Sequence, residues 1–573
     1  MKNLIIKFAF IIFPLILINL VSFSQTNAKE EVLNQLYEKE GEQYFSFQSA
    51  NRATIQELSR IISIDNVEET GIVYAYANKK GFSRFLDFRL PYEILLHPGD
   101  FNGFLNMKSH IDIRNVEEWD FYPTYEAYVD MMYQFAADYP SLCQIVSIGT
   151  SVQGRELLMA KISDNIGIRE NEPQFLYTST MHGDETTGYI LMLRLIDYLL
   201  SNYGSTPKVT NLVDNIEIWI NPLANPDGTY AGGNDTVSGA RRYNALWVDL
   251  NRNYPDPEDG PHPDGEEWQA ETLHFMESAE NNHFVSSANF HGGAEVCNYP
   301  WDTWSRLAAD DNWWRYVCHE YADTAQFFST PGYMSGFNDG ITNGYAWYSI
   351  SGGRQDYMTY FHQGREFTLE ISNNKLLEHE LLPALWDYNY RSLLNYMEQS
   401  TFGLRGTVRD SVTGMPIKAE IYVLLHEKDS SWVYTSFPNG NYHRLLFAGN
   451  YTVRFSAQGY LTEVRNNVSV ANRQATILNV ELVPEGVGGI DNNQISKMIR
   501  IYPNPLHGDV MYFESDVLVN QIAVYDLAGK EICQLKIDNS SRAINLPDLN
   551  NGLYFFRFST EKGTGIKKIV INR

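Results

Sequence analysis

Cysteine is scarce in this chain: four residues, Cys143, Cys297, Cys318 and Cys533, are spread over three regions. That is too few and too scattered for a disulfide framework to define the fold, although one bridge could form among the first three. Cys297 stands near a histidine, His291, but nothing around it supports a nucleophile, and it reads as a buried free thiol. Positive charge is also short. The 44 Lys and Arg against 70 Asp and Glu leave a formal charge of -26, which argues against nucleic-acid binding and favours solubility. Past the N-terminus, no apolar run is long enough to cross a bilayer. Residues 1–25, with Lys2, Lys7 and the apolar stretch Phe8 to Phe23, read as a secretory signal ending near Ser24 or Gln25. Leu4 to Phe23 is nearly long enough to span a membrane, so an uncleaved anchor is the alternative. No Cys follows it, so a lipid-modified anchor is not expected, and after processing no stable transmembrane span should remain.

What is present is modular, as a chain of 573 residues should be, since single cores rarely grow beyond about 300 residues. Residues 26–112 alternate strand-like runs (YFSFQ, IVYAYA, FLDFRL) with a helix-like TIQELSRIISI, which predicts a small α+β domain. Residues 113–400 carry the chemistry. Residues 402–484 hold alternating runs and an Asn-Gly turn signal, and read as a small β-sandwich. Residues 485–495, overlapping PEGVGGIDNN at 484–493, read as a flexible linker, and 496–573 as a terminal β-rich module.

In the central region the apolar run Phe175 to Thr180 reads as a buried strand, and ETTGYILMLRLIDYLLSNYG, from Glu185, as a packed helix. His182 and Glu185, in HGDE, would therefore share one strand-to-helix turn. His291 follows a second apolar run, Phe284 to Phe290, which a parallel or mixed sheet can bring alongside. Two imidazoles and one carboxylate are a donor set able to hold a catalytic zinc with one position left for water. A single His beside a strand is more often a satisfied core imidazole, so HGDE alone would carry little weight.

The set does not stand alone. SVQGREL (151–157), HGDE (182–185), NPDG (225–228), RRYNALWVDLNRNYP (241–255), ANFHGGAEVCNYPWD (288–302), GITNGYAWYSISGGRQDY (340–357) and FTLEIS (367–372) occur in order. From about Ile113 to Ser400 the chain resembles the metallocarboxypeptidases, specifically the regulatory branch that includes carboxypeptidases E, M, N and D. The resemblance implies an α/β fold with a mixed eight-stranded twisted sheet flanked by helices, followed by β-sandwich domains. It implies one Zn2+ held by His182, Glu185 and His291, with Glu370 as general base and acid. An unpaired Glu in so apolar a run as FTLEIS would otherwise be costly. It implies Arg242 as the oxyanion-stabilising arginine, with its neighbour Arg241 as the competing assignment. Asn251 and Arg252 match the pair that grips the substrate's terminal carboxylate, and Tyr348 the mobile tyrosine that closes over it. Asp302, at the pocket base, would pair with a terminal Lys or Arg, and Gln355 would supply a neutral polar wall. Such a charge-assisted contact is worth roughly 1.5–3 kcal/mol, enough to rank basic ends over apolar ones by tens to a hundredfold.

The chain departs from the branch at Asp184, where HGNE is usual, and at Arg354, where Met usually precedes Gln-Asp; both are expected near the substrate groove. The domain before the enzyme is positioned like an activation segment. The domain after it resembles the transthyretin-like unit of the regulatory carboxypeptidases. The last segment, with IYPNP, VYDLAGKEI, NGLYFFRF and KKIVINR, resembles the C-terminal sorting domain of the type IX secretion system, against the plain alternative of an adhesive or carbohydrate-binding β-module. The expected protein is thus a zinc carboxypeptidase exported through the periplasm, secreted or held at the outer surface, with secretion machinery and peptides or proteins bearing a free C-terminus as partners. Two other readings are a zinc amidase acting on cell-wall peptides, which should lack the Asp302 and Tyr348 matches, and a silent peptide-binding or adhesion protein, which should have lost a ligand or Glu370.

Overall fold

A computed structural model describes residues 29–38, 41–49, 51–68, 70–101, 103–485, 495–537 and 543–573. The expected signal segment and all but the ends of the expected linker lie outside the described residues. The chain divides into two compact units, one of Met1–Thr407 with Glu420–Arg454 and Val464–Asn479, the other of Val408–Ala419 with Phe455–Glu463 and Val480–Arg573. No helix among the described residues is long and apolar enough to cross a membrane.

The first unit is built on an eight-stranded mixed sheet. Its strands in chain order are β1 (Cys143–Thr150), β2 (Glu156–Ile162), β3 (Gln174–Ser179), β4 (Glu217–Asn221), β5 (Phe284–His291), β6 (Ala294–Tyr299), β7 (Ile341–Asn343) and β8 (Arg365–Ser372). They lie side by side as β7-β6-β8-β5-β3-β4-β2-β1. The inner four, β8-β5-β3-β4, run parallel, and their near-continuous burial explains why these segments carry apolar runs without alternation. The pairing of β2 with β4 and of β6 with β8 is antiparallel.

Register decides which side chains meet at the sheet's end. Phe290 lies opposite Ser179, and His291 opposite Glu370, so β3, β5 and β8 end together. Ligand sites in open α/β sheets form at the carboxyl ends of such strands. The chain leaves β3 through Thr180, whose φ of 61 is left-handed, and enters the helix Thr187–Asn202, two residues later than the sequence suggests. This helix has no side-chain cap at Thr186. It is fixed instead by burial of Ile190, Leu191, Leu193, Leu195, Ile196, Leu199 and Leu200, each worth roughly 1.5–3 kcal/mol. The helix Leu382–Gln399, started by Pro383 in its first turn, packs against it in the same core.

Residues 42–94 form a four-stranded sheet in the order Ser63–Val67, Ile72–Asn78, Glu42–Gln48, Tyr92–Ile94, with helices Arg52–Leu58 and Lys79–Phe85. Two details differ from expectation. The run TIQELSRIISI is helical only to Leu58 and becomes an edge strand at Ser63, and FLDFRL ends a helix rather than forming a strand. The reason is the packing of Phe82 and Phe85, three apart and both buried on one helical face, with Arg89 at φ 54 stopping the turn.

Residues 403–482 contain two four-stranded sheets. In residues 495–571 a three-stranded and a four-stranded sheet share one apolar core that includes Ile499, Phe513, Ile522, Phe556 and Ile569. All four cysteines are free thiols, and those at 143, 297 and 318 are buried.

Candidate active site

At the carboxyl end of the sheet, His182 and Glu185 come from the turn after β3 and His291 from the last residue of β5. Their ligand atoms lie within 4.8 Å of one another and all three residues are buried. His291 Nδ1 is 2.9 Å from His182 Nδ1 and 2.8 Å from Glu185 Oε2, while His182 Nδ1 is 3.0 Å from Glu185 Oε1. Two imidazole nitrogens that close, facing a buried carboxylate, are favourable only with a cation among them, either a proton or a metal. Burial pushes His291 down to about 4, so it is the neutral imidazole that a metal requires. Burial alone would raise Glu185, but His182, the Lys375 ammonium and His291 outweigh it and hold the carboxylate well below its ordinary range. The donor set thus fits zinc.

A second ring of contacts orients these donors. His182 Nε2 is 3.1 Å from Asp249 Oδ1, which fixes which ring nitrogen faces the cluster. Asp249 also accepts the Arg242 Nε at 3.1 Å, and Arg242 approaches Glu185 Oε1 at 3.4 Å. Arg242 is buried and its guanidinium is aimed inward. Arg241 instead pairs with Asp100 at 2.8 Å, which separates two neighbours that the sequence could only rank. Lys375 Nζ donates to Glu185 Oε1 at 2.7 Å and to Gly292 O at 3.0 Å. Neither Asp249 nor Lys375 was singled out from the sequence. Asp249 had a legible signal, a carboxylate inside DLNRN, whereas Lys375 in NNKLL had none.

Glu370, opposite His291 in register, has one carboxylate oxygen, Oε2, that is buried and makes no hydrogen bond among the described residues. Burial and the nearby Glu185 raise its pKa well above the usual carboxylate value. One of its oxygens is thus open to a further hydrogen bond.

Asn251 and Arg252 occupy a short turn, Leu250–Arg252, whose first N–H groups are capped by Asp249. Asn251 Oδ1 accepts the Arg354 backbone N–H at 3.0 Å. Arg252 donates to the Asn251 carbonyl at 2.9 Å, and its Nε is left without a partner among the described residues. Gly352, φ 76, lets the chain pass Arg252, since a Cβ there would lie 2.2 Å from the Arg252 carbonyl oxygen. Tyr348 ends the short helix Gly344–Trp347, half-buried.

Asp302 and Gln355 are buried together, with Gln355 Nε2 donating to Asp302 Oδ1 at 3.2 Å and Asn298 Nδ2 to the same atom at 3.3 Å. A Cβ on Gly344 would lie 1.7 Å from Asp302 Oδ1, so glycine there is what leaves room beside the carboxylate. Burial pushes Asp302 up to about 7. Of the two departures, Asp184 accepts the Tyr76 hydroxyl at 2.9 Å, and Arg354 is fully buried with its Nε on Glu366 at 2.9 Å. The Arg354 guanidinium also lies over the ring of Phe275, 4.5 Å from its centroid.

Comparison with known proteins agrees in kind. Residues 128–392 match the family described as zinc carboxypeptidase, residues 403–483 the carboxypeptidase regulatory-like domain, and residues 500–572 the secretion system C-terminal sorting domain. Carboxypeptidase D of Mus musculus is 36% identical over 379 residues, covering 64% of this chain and 27% of that protein. Carboxypeptidase M of Mus musculus is 35% identical over 357 residues, covering 57% of this chain and 77% of that protein. The catalytic chain of human carboxypeptidase N is 34% identical over 395 residues, 62% of this chain and 85% of that one. The match thus spans only 27% of the mouse carboxypeptidase D sequence, and most of the carboxypeptidase M and N sequences.

Proposed function

The chain belongs to the zinc carboxypeptidase family, and from that premise we propose that it hydrolyses the last peptide bond of peptides or proteins ending in Lys or Arg. His182, Glu185 and His291 would hold the zinc. When bound, the ion supplies a Lewis acid for the scissile carbonyl and lowers the pKa of water. The chain's own groups do the rest. Glu370 takes a proton from the attacking water on its unpartnered oxygen and hands it to the leaving amine, a role that suits a carboxyl whose pKa is raised. Arg242, held by Asp249, sets a fixed positive charge where the tetrahedral oxyanion develops. Asn251 and Arg252 bind the terminal carboxylate, Tyr348 closes over it, and Asp302 with Gln355 receives the basic side chain.

The observation that carries this reading is the convergence of the three donors beside Glu370, at the shared end of β3, β5 and β8. The terminal module and the N-terminal segment support export by a type IX route to the cell surface or beyond. The test is a set of matched peptides ending in Arg, Lys, Phe and amidated Arg, with and without a chelator, offered before and after proteolysis of the residues that precede the catalytic domain. Arg and Lys ends should be removed, Phe more slowly, and amidated Arg and chelated samples not at all. Equal cleavage of free and amidated ends would contradict an exopeptidase.

A further inference from the structure

Three carboxyls, Asp256, Asp302 and Asp356, are buried around the side-chain pocket, yet they offer a cation few acceptors. Asp356 turns both oxygens to the backbone, accepting the N–H of Asp302 at 3.0 and 3.1 Å and that of Thr303 at 2.9 Å. Asp256 accepts the N–H groups of Glu258 at 2.8 Å, Asp259 at 2.9 Å and Gly352 at 3.0 Å, and the Thr303 hydroxyl at 3.2 Å. Both are committed to holding loops, and Asp302 is left as the anion of the pocket.

Asp302 is itself half occupied. Its Oδ1 takes the amide donors of Gln355 and Asn298, and two lone pairs are all that a carboxylate oxygen has. The Gln355 amide is locked in that sense, because its Oε1 accepts the Thr368 backbone N–H at 2.7 Å. Thr368 lies opposite Asn298 in the register of β6 and β8, so one strand pair sets both amides against one oxygen. Asn298 is 4% exposed, and with its Nδ2 on Asp302 its Oδ1 is buried without a partner among the described residues. The point where Gly344 would carry a Cβ is 1.7 Å from Asp302 Oδ1 and 2.9 Å from Asn298 Oδ1, so the two oxygens border one space.

A guanidinium and an ammonium make different demands of such a pocket. The fork of an arginine pairs with a carboxylate through both oxygens and brings five N–H donors that need acceptors. Here one oxygen is already filled, so a buried guanidinium would keep donors without partners, which is costly away from water. An ammonium is a compact charge with three donors on a rotatable stem, and Asp302 Oδ2 and Asn298 Oδ1 suit two of them.

We propose that the pocket ranks Lys ends above Arg ends, and that Asn298 sets the ranking: its Nδ2 closes Asp302 Oδ1 to a guanidinium, and its Oδ1 receives the lysine ammonium. This rests on the carboxypeptidase reading and goes beyond it in separating the two basic residues. The preference is roughly tenfold to a hundredfold in kcat/KM, the scale of one or two buried donors without partners.

The experiment places peptides that differ only in the last residue, Lys, Arg or Phe, in one mixture with the full chain supplied with zinc, at a pH above the value of about 7 to which burial lifts Asp302. Early product ratios, read by mass spectrometry, give ratios of kcat/KM that are independent of how much of the chain is folded or active. Lys should be released ahead of Arg by roughly tenfold or more, and both ahead of Phe. Asn298→Ala opens the second lone pair of Asp302 Oδ1 and removes the extra acceptor, so the Lys to Arg ratio should fall to about one or below while both basic ends stay ahead of Phe. Asn298→Ser carries the same expectation should the first variant fail to fold, and should both fail, the ratio in the unaltered chain decides. Arg released as fast as Lys by the unaltered chain, or a ratio that a folded variant leaves unmoved, overturns the inference and leaves the carboxypeptidase reading standing. Phe released as fast as both basic ends, or no terminal residue released at all, overturns that reading and the inference with it.

Discussion

Glu370, half-buried, and Asp302, buried, both have carboxyls with raised pKa values, and their partners separate them. Glu370 has an oxygen without a partner among the described residues, and with the proposed proton transfer through it, Glu370→Gln should lower kcat by roughly 10²–10⁴-fold while metal content stays unchanged. Steady-state kinetics with metal analysis checks this. Asp302 is shared by Asn298 and Gln355, and burial lifts it to about 7. Its carboxyl is neutral below that value and charged above it. The ratio of kcat/KM for Arg over Phe ends should therefore climb as pH rises through about 7, by tens to a hundredfold at the plateau, and should stay flat in Asp302→Asn. The sign for stability is the reverse: a carboxyl raised by burial favours the fold at low pH, and that contribution fades as pH rises through about 7. At this scale the side chains that the fold brings together, His182, Glu185, His291, Glu370 and Arg242, could be picked out because each sits in a short string at a strand end or turn. Lys375 and Asp65 could not. Their contacts depend on how a loop and a separate domain fold over the site, and local spacing carries no trace of that.

The elements explain why those strings are short. β3, β5 and β8 end in one register, so a residue at the end of each meets the others without long loops. The turn between β3 and its helix is the tightest part of this arrangement. A Cβ on Gly183 would lie 2.3 Å from the Gly228 backbone carbon and 2.5 Å from the Arg241 carbonyl oxygen. Gly183→Ala should push the HGDE turn away from the NPDG segment, cost about 1–3 kcal/mol and weaken zinc retention, as read by denaturant titration and by zinc content after dialysis. Apolar runs identified these strands well because both faces are buried. The same signal misled at FLDFRL, where a short run on a helical face looks like strand, and at TIQELSRIISI, where helix and strand share one apolar run.

For the molecule, the catalytic region and part of the following domain lie in one compact unit, and a buried charge cluster joins them. Asp310 accepts Arg365 at 2.8 Å and Arg444 at 2.9 Å, with His426 at 2.8 Å. Both arginines are buried, and Arg444 also holds Glu427 at 2.8 Å, so Asp310→Ala would leave Arg365 without a carboxylate; unfolding free energy should fall by about 3–5 kcal/mol with kcat little changed at low temperature, as chemical denaturation would record. The most direct measurement of the central claim is metal analysis of the purified chain after reconstitution, alongside His182→Ala and His291→Ala. One zinc per chain is expected, lost in either variant together with chelator-sensitive release of C-terminal Arg. A chain that binds no zinc yet still releases Arg, or that keeps its zinc and activity in both variants, would contradict it.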